Sequence, residues 1–260
     1  MTLSPRATNA DGYEGRIGRY GPELAVEFMR AVGVRAGQRA LDVGCGSGAL
    51  TQPLAGLLGA ENVVAVDPDV AAVEACQARL PDIDARVAVA EALPFSDGEF
   101  DVVLAQLVVS LMSDAQAGVK EMRRVAGRGG VVAACVWDFA GGMTLLRTFW
   151  DAALALDAAA ATRDQANTRP FGTPSDLTAL WQSAGLDSAS TGELHAGADY
   201  SGFEDVWGPL IAPDGSPGAY YAELEAPHRQ ALRREVLRRL NSPTGSFRLT
   251  ARAWCVQGYA

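Results

Sequence analysis

The residues best placed to do chemistry are three acids set around a glycine turn. Leu41-Asp42-Val43-Gly44-Cys45-Gly46-Ser47-Gly48 closes an apolar, strand-like run and opens a helical one, with Asp42 two residues before the first glycine. Such a turn lets a ligand approach the backbone, and the helix that follows presents unpaired amides. The next apolar run, Val63-Val64-Ala65-Val66, ends in Asp67, nineteen residues past Gly48, where a carboxylate can accept both hydroxyls of a ribose. A third acid, Glu91, stands beyond the next short run. Gly44, Gly46 and Ala49 also satisfy the looser dinucleotide fingerprint, so the acids must decide between ligands. Asp42 would oppose a diphosphate at the helix end and favour a cation.

These side chains need a scaffold, and the hydrophobic periods predict one. Strand-like runs occur at 39–43, 62–66, 85–89, 100–105 and 130–136. Helical patterns separate them at 22–32, opened by Pro22, at 48–58, at 69–79 behind Asp67-Pro68-Asp69, and at 113–126 behind Ser113-Asp114. Near-continuous apolar strands alternating with helices mean an α/β fold with a parallel sheet covered on both faces. The second half differs, holding fourteen of the nineteen aromatic residues and all five tryptophans beyond position 136. Helices are expected there at 143–161, 174–184, 202–210 and 218–240, and strands at 186–194 and 246–257. The implied organisation is a helical lid segment at 1–38, an α/β core at 39–137, 171–200 and 246–260, and a mainly helical cap at 138–170 and 201–245.

Composition narrows the partners. At 260 residues, 48% apolar and 20% charged, with mean hydropathy +0.04, the chain reads as a globule, and no apolar run approaches the ~18 residues that span a bilayer. A formal charge of -9 repels phosphate backbones and anionic lipid, so neither nucleic acid nor membrane is an expected partner. Lys120 is the only lysine, which reads as codon bias. Cys45, Cys76, Cys135 and Cys255 are far apart in sequence and lack zinc-site spacing, so no metal is expected and free buried thiols in a reducing compartment are. Residues 1–11 carry no basic segment followed by an apolar stretch, so the expected location is the cytoplasm.

S-adenosylmethionine carries a sulfonium and an ammonium and no phosphate, so acids at 42, 67 and 91 suit it better than a nicotinamide dinucleotide. Across residues 13–137 the chain resembles the class I S-adenosylmethionine-dependent methyltransferases, of the small-molecule type found in ubiquinone biosynthesis. The resemblance rests on Leu41 to Gly48, Val66-Asp67-Pro68, Ala90-Glu91-Ala92-Leu93-Pro94-Phe95, Phe100-Asp101-Val102-Val103, and Glu121-Met122-Arg123-Arg124-Val125 with Gly129-Gly130. It implies a three-layer Rossmann-like sheet of seven strands with the last strand antiparallel. It also implies roles: amides of the turn Gly44, Cys45 and Gly46 facing the methionyl part, Asp42 its ammonium, Asp67 the ribose, Pro68 the adenine face, and Ala90 and Glu91 the adenine edge. Gln106 would border the donated methyl; Tyr13 and Arg19 would belong to a lid, with Arg19 at the cofactor carboxylate. Val89 stands where the family often has Asp, which shifts the adenine contact to Glu91, and Ser110-Leu111-Met112 replaces a His pair common after strand four.

The activity implied is transfer of a methyl group to an O, N or C atom of a small, largely apolar metabolite, leaving S-adenosylhomocysteine. In-line attack on the sulfonium makes a base optional, because alignment of donor and acceptor can supply ~7–11 kcal/mol of the barrier. If a base is needed, His195 is the candidate, although a surface imidazole is the commoner role. His228 is expected in solvent, Asp138 is equally a pocket residue or a loop cap, and Arg229 to Arg239 reads as a solvated helix face. Trp150, Trp181, Trp207, Tyr220 and Tyr221 either wall an acceptor pocket or form aromatic core. A nicotinamide-dependent oxidoreductase, and a cyclase or binding module that holds the cofactor without methyl transfer, stay open, as do a monomer and a homodimer.

Overall fold

A computed structural model describes residues 15–260. The first half alternates as the periods predict: α1 (Gly21–Val32), β1 (Ala40–Val43), α2 (Thr51–Leu58), β2 (Val63–Asp67), α3 (Val70–Arg79), β3 (Asp84–Val87), β4 (Phe100–Gln106), α4 (Ala115–Val125) and β5 (Ala126–Trp137). Side-chain caps set the helix starts, Asp69 accepting from Ala71 N–H and Asp114 from Ala117 N–H. The second half adds α5 (Thr144–Leu156), α6 (Gln165–Thr168), α7 (Pro174–Ser183), β6 (Asp187–Tyr200), α8 (Phe203–Leu210), α9 (Ser216–Glu223), α10 (Ala226–Arg239) and β7 (Phe247–Tyr259).

The strands form one seven-stranded sheet in the order β3-β2-β1-β4-β5-β7-β6. β1 lies parallel between β2 and β4, and all four of its residues are buried, as a central strand covered on both faces requires. β7 runs antiparallel to β5, with Cys135 opposite Cys255, so the expected antiparallel closure of the sheet is present. The switch in strand order at β1 and β4 opens the crevice where ligands of open α/β sheets bind.

Two long helical runs are interrupted. Residues 143–161 divide because Asp157 ends α5 and caps a short 3-10 helix, its carboxylate accepting from Ala159 N–H. Residues 218–240 divide at Leu224 and Glu225, just before Pro227 in the first turn of α10. β6 runs to Tyr200, beyond the expected 194; its first half is almost wholly exposed, and only from Leu194 onward does it bury side chains.

The chain divides into two compact units. Gly21–Trp137, Pro170–His195 and Arg252–Ala260 form the sheet unit, which includes α1. Its core joins Leu41, Val43, Val64, Val66, Val103 and Met122 with Trp181, whose indole N–H donates to Val132 O at 3.0 Å. The second unit takes in residues 15–20 with Asp138–Arg169 and Ala196–Ala251. There Phe149 meets Trp150 edge to face at 5.1 Å and Trp207 meets Tyr221 at 5.5 Å, so these rings are aromatic core. Leu156, Asp157, Tyr220, His228 and Leu232 border a cavity of about 340 Å³ in that unit, which places His228 beside it. Arg238 and Arg239 pair with Glu235, and Arg233 with Glu204, so the arginine-rich face of α10 is a set of surface ion pairs. Asp138 caps a loop, accepting from Ala140 and Gly141 N–H at 3.1 Å each. Among the described residues no helix is long and apolar enough to cross a membrane.

Candidate functional site

The glycine turn leaves the carboxyl end of β1 and doubles back against β2. Gly44 N–H and Cys45 N–H both donate to Val66 O, at 2.7 and 3.0 Å, and Gly48 N–H donates to Cys45 O at 2.9 Å. Gly46 N–H donates to Asp67 Oδ2 at 3.0 Å. These four amides are therefore engaged by the protein, and the expectation that the Gly44, Cys45 and Gly46 amides face a ligand is corrected. Gly44 adopts φ 77°, and a Cβ there would lie 2.9 Å from Val108 Cβ, so only glycine fits. Val108 is carried against it by Leu107, a non-glycine residue at φ 66° whose N–H is held by Cys135 O at 2.9 Å.

Beneath the turn, Asp42 is fully buried. Thr51, at the start of α2, donates its hydroxyl to Asp42 Oδ2 at 2.6 Å, while Asp42 Oδ1 has no donor. Burial pushes the Asp42 carboxyl up to about 7 against the pull of the Thr51 hydrogen bond, and the nearby Cys76 and Asp67 push the same way. At the end of the adjacent strand Gln106 donates Nε2 to Gly21 O at 3.4 Å, and its Oε1 is likewise buried without a donor. Two orphaned acceptors on neighbouring strands suit a group that only donates, which describes an ammonium. Asp67 accepts from Gly46 N–H and from Asp69 N–H at 2.9 Å, and burial raises its carboxyl above the ordinary range. Each of its oxygens retains a lone pair for a hydroxyl. Pro68 beside it is exposed.

The loop 90–95 is clamped from α4. Arg124 donates to Phe95 O at 2.8 Å and Leu93 O at 3.0 Å while forking onto Glu121, and Glu121 accepts from Leu93 N–H at 3.0 Å. Ala90 is buried against Gly118 of the same helix. Glu91 does not stand free: its Oε1 accepts from Asp114 N–H at 3.0 Å, so it serves the start of α4.

A sheet with this strand order, a glycine turn after β1, an acid ending β2 and a clamped loop after β3 can be set against known proteins. Residues 41–134 match the family described as methyltransferase domain. Over this segment the chain is similar to methyltransferase domains. The demethylmenaquinone methyltransferase of Renibacterium salmoninarum is 38% identical over 102 residues, covering 38% of this chain and 41% of that protein. The chain thus spans about two fifths of the length of the curated relatives it matches. A phosphoethanolamine N-methyltransferase 2 from Haemonchus contortus, solved with phosphomonomethylethanolamine and S-adenosylhomocysteine, matches with TM-score 0.60 and 13% identity over 99% of this chain and 60% of that one. The [4+2]-cyclase SpnF matches with TM-score 0.55 and 15% identity over 92% of this chain and 80% of that one. Both structures share the fold of the methyltransferase domain.

Asp42, Gly44, Cys45, Gly46, Asp67 and Gln106 come together at the strand ends of that domain. His195 does not join them, and Arg19 is engaged within its own unit. Arg19 forks onto Asp205, with Nη1 at 3.0 Å from Oδ2, and lies 5.0 Å from the Tyr200 ring centre. It pulls the Asp205 carboxyl down to about 2, so a structural ion pair replaces the expected contact with a ligand carboxylate. His195 sits on edge strand β6, four strands from β1, or about 19 Å at ~4.8 Å per strand. It is exposed, with Nε2 3.5 Å from Glu193 Oε2, and the expectation of a base at the site is corrected. Tyr13 lies outside the described residues. The sequence reading missed Thr51, the partner of Asp42, and Arg124, the anchor of the loop. A threonine opening the helix after a glycine turn was the available signal for the first, and an i,i+3 Glu-Arg pair for the second.

Proposed function

We propose that the protein is an S-adenosylmethionine-dependent methyltransferase acting on an O, N or C atom of a small, largely apolar metabolite. The observation that carries this reading is the pair of buried acceptors beside the turn, Asp42 Oδ1 and Gln106 Oε1, which await a donor, as an ammonium supplies and a diphosphate does not. When bound, the cofactor supplies a methyl group on a positively charged sulfur, already electrophilic. Asp42 and Gln106 then accept from its ammonium, Asp67 accepts from the ribose hydroxyls, Pro68 packs on the adenine and Ala90 borders the adenine edge. We assign acceptor binding to the helical unit. With His195 far along the sheet, the chain contributes alignment and exclusion of water, which suffices for a phenolate, carboxylate or amine acceptor.

Calorimetric titration tests the cofactor: saturable heat with S-adenosylmethionine and none with NAD or NADP is expected, and the reverse refutes the reading. Incubation with a metabolite extract and isotopically labelled methyl donor should label one small compound. A second reading, cofactor binding without methyl transfer, is favoured by the exposed His195 and by the shared fold of SpnF, a [4+2]-cyclase. It predicts tight cofactor binding with no S-adenosylhomocysteine formed.

A further inference from the structure

The geometry points to Thr51 as the positioning residue of the candidate site: its hydroxyl, itself accepting from the Cys76 thiol, holds one oxygen of Asp42 so that the other faces the ligand. Asp42 on β1, Thr51 at the start of α2 and Cys76 on α3 are all fully buried. The Thr51 hydroxyl donates to Asp42 Oδ2 at 2.6 Å, and the Cys76 thiol donates to Thr51 Oγ1 at 3.9 Å. A threonine hydroxyl has one proton to give, so a thiol arriving at its lone pair leaves that proton for the carboxylate. The sulfur is packed in place, since a Cβ added at Gly48 would meet it at 3.2 Å.

The local alternative for a helical threonine is the carbonyl four residues back, and there Ser47 O accepts from Arg79 Nη1 at 3.3 Å. The Thr51 hydroxyl turns inward instead, and its contact joins the two ends of the glycine turn, β1 before it and α2 after it. Its effect on Asp42 is twofold. One oxygen is fixed, which leaves Oδ1 as the acceptor without a donor, together with Gln106 Oε1 on the neighbouring strand. The bond also favours the ionised carboxyl against burial, while Asp67 at the end of β2 and Cys76 on α3 push the other way. The thiols of Cys45 in the turn and Cys135 on β5 lie within range of the same charge.

Thr51 thereby sets how cofactor affinity depends on pH, a consequence that rests on the function proposed above. An ionised and fixed Asp42 holds an ammonium well; a protonated one holds it poorly. Without the hydroxyl the carboxyl ionises at a higher pH, and affinity near neutrality falls.

Thr51→Val keeps the shape of the side chain and removes its donor. Carboxyl-carbon NMR of the full, ligand-free chain follows the Asp42 titration directly, and the midpoint in the variant should lie about one pH unit above that of wild type. Calorimetry at pH 7 should show about tenfold weaker binding of S-adenosylmethionine, a gap that narrows at pH 8. Thr51→Ser, which retains the hydroxyl, should restore both midpoint and affinity. If Thr51→Val does not fold, Thr51→Ala takes its place with the same expectations. In the Asp42→Asn background the loss of the hydroxyl should change affinity less than about threefold, with no dependence on pH. An unshifted midpoint, a serine variant as weak as the valine one, or a loss of equal size in Asp42→Asn would each overturn the assignment. If wild type takes up no S-adenosylmethionine, the cofactor reading fails, while the carboxyl titration still decides the role of Thr51.

Discussion

Replacing Asp42 by Asn should flatten the pH dependence of stability, leaving the variant more stable than wild type at pH 8 but not at pH 5, and make it a poorer binder. A carboxyl raised by burial to about 7, against ~3.9 in the unfolded chain, is held in its neutral form by the fold. Its contribution to stability is present in full below the unfolded value and is lost as pH rises through the folded one. With 1.36 kcal/mol per pKa unit, most of the loss falls between pH 5 and 8 and amounts to about 3 kcal/mol. Asn retains an oxygen for the Thr51 hydroxyl and cannot ionise, so this portion of the pH dependence disappears. Its amide N–H groups replace the orphaned Oδ1, and leaving them unpaired costs about 1–3 kcal/mol at every pH. Urea denaturation of ligand-free wild type and Asp42→Asn at pH 5 and 8 measures the difference of slopes, in which the other titrating groups cancel. Affinity for S-adenosylmethionine should fall about 100-fold, since a buried charge-assisted contact of ~2–3 kcal/mol is removed. Parallel pH profiles for the two proteins, or binding by the variant within threefold of wild type, would refute the reasoning.

Ligand binding to wild type should also eject protons. At pH 7 Asp42 is about half protonated, and an ammonium beside it favours the carboxylate, so calorimetric heats should vary with buffer ionisation enthalpy and report release of ~0.5 proton. Gly44→Ala combines a left-handed φ with a Cβ driven into Val108 and should destabilise the protein by about 2–4 kcal/mol in denaturant titration while abolishing cofactor binding. Arg124→Ala strips the loop 90–95 of its anchor at Leu93 O and Phe95 O; a loss of about 1–3 kcal/mol is expected, with faster amide exchange confined to that loop and α4. His195→Ala should leave cofactor affinity and any methyl-transfer rate within twofold; a drop of a hundredfold with an altered pH profile would reinstate it as a base.

The inner parallel strands were readable because β1, β2 and β4 are buried on both faces, so their β-branched runs announce them without help from neighbours. The glycine turn and Asp67 were readable for a similar reason, since local backbone geometry demands those residue types. What escaped was contact across sequence distance. Thr51 under Asp42, Cys76 under the turn and Asp114 N–H on Glu91 are nine, twenty-five and twenty-three positions from the partners they meet, and no period encodes such meetings. Arg19 illustrates the converse, because a guanidinium suited to a ligand carboxylate is equally suited to Asp205. The end of β6 was missed because its continuation past 194 runs through Ala196, Gly197, Ala198 and Asp199, residue types that strands disfavour, although the first three are buried. The break at Asp157 was visible in principle, an acid capping the residues that follow, but an unbroken alanine run outweighed it.

The turn after β1 keeps its shape through its own carbonyls and a carboxylate, with no guest required. A receptor finished in advance loses little chain entropy when it is filled. A phosphate reaching that corner would find the N–H groups of Gly44, Cys45, Gly46 and Gly48 already taken. Discrimination is thus settled by the empty protein, before any visitor arrives.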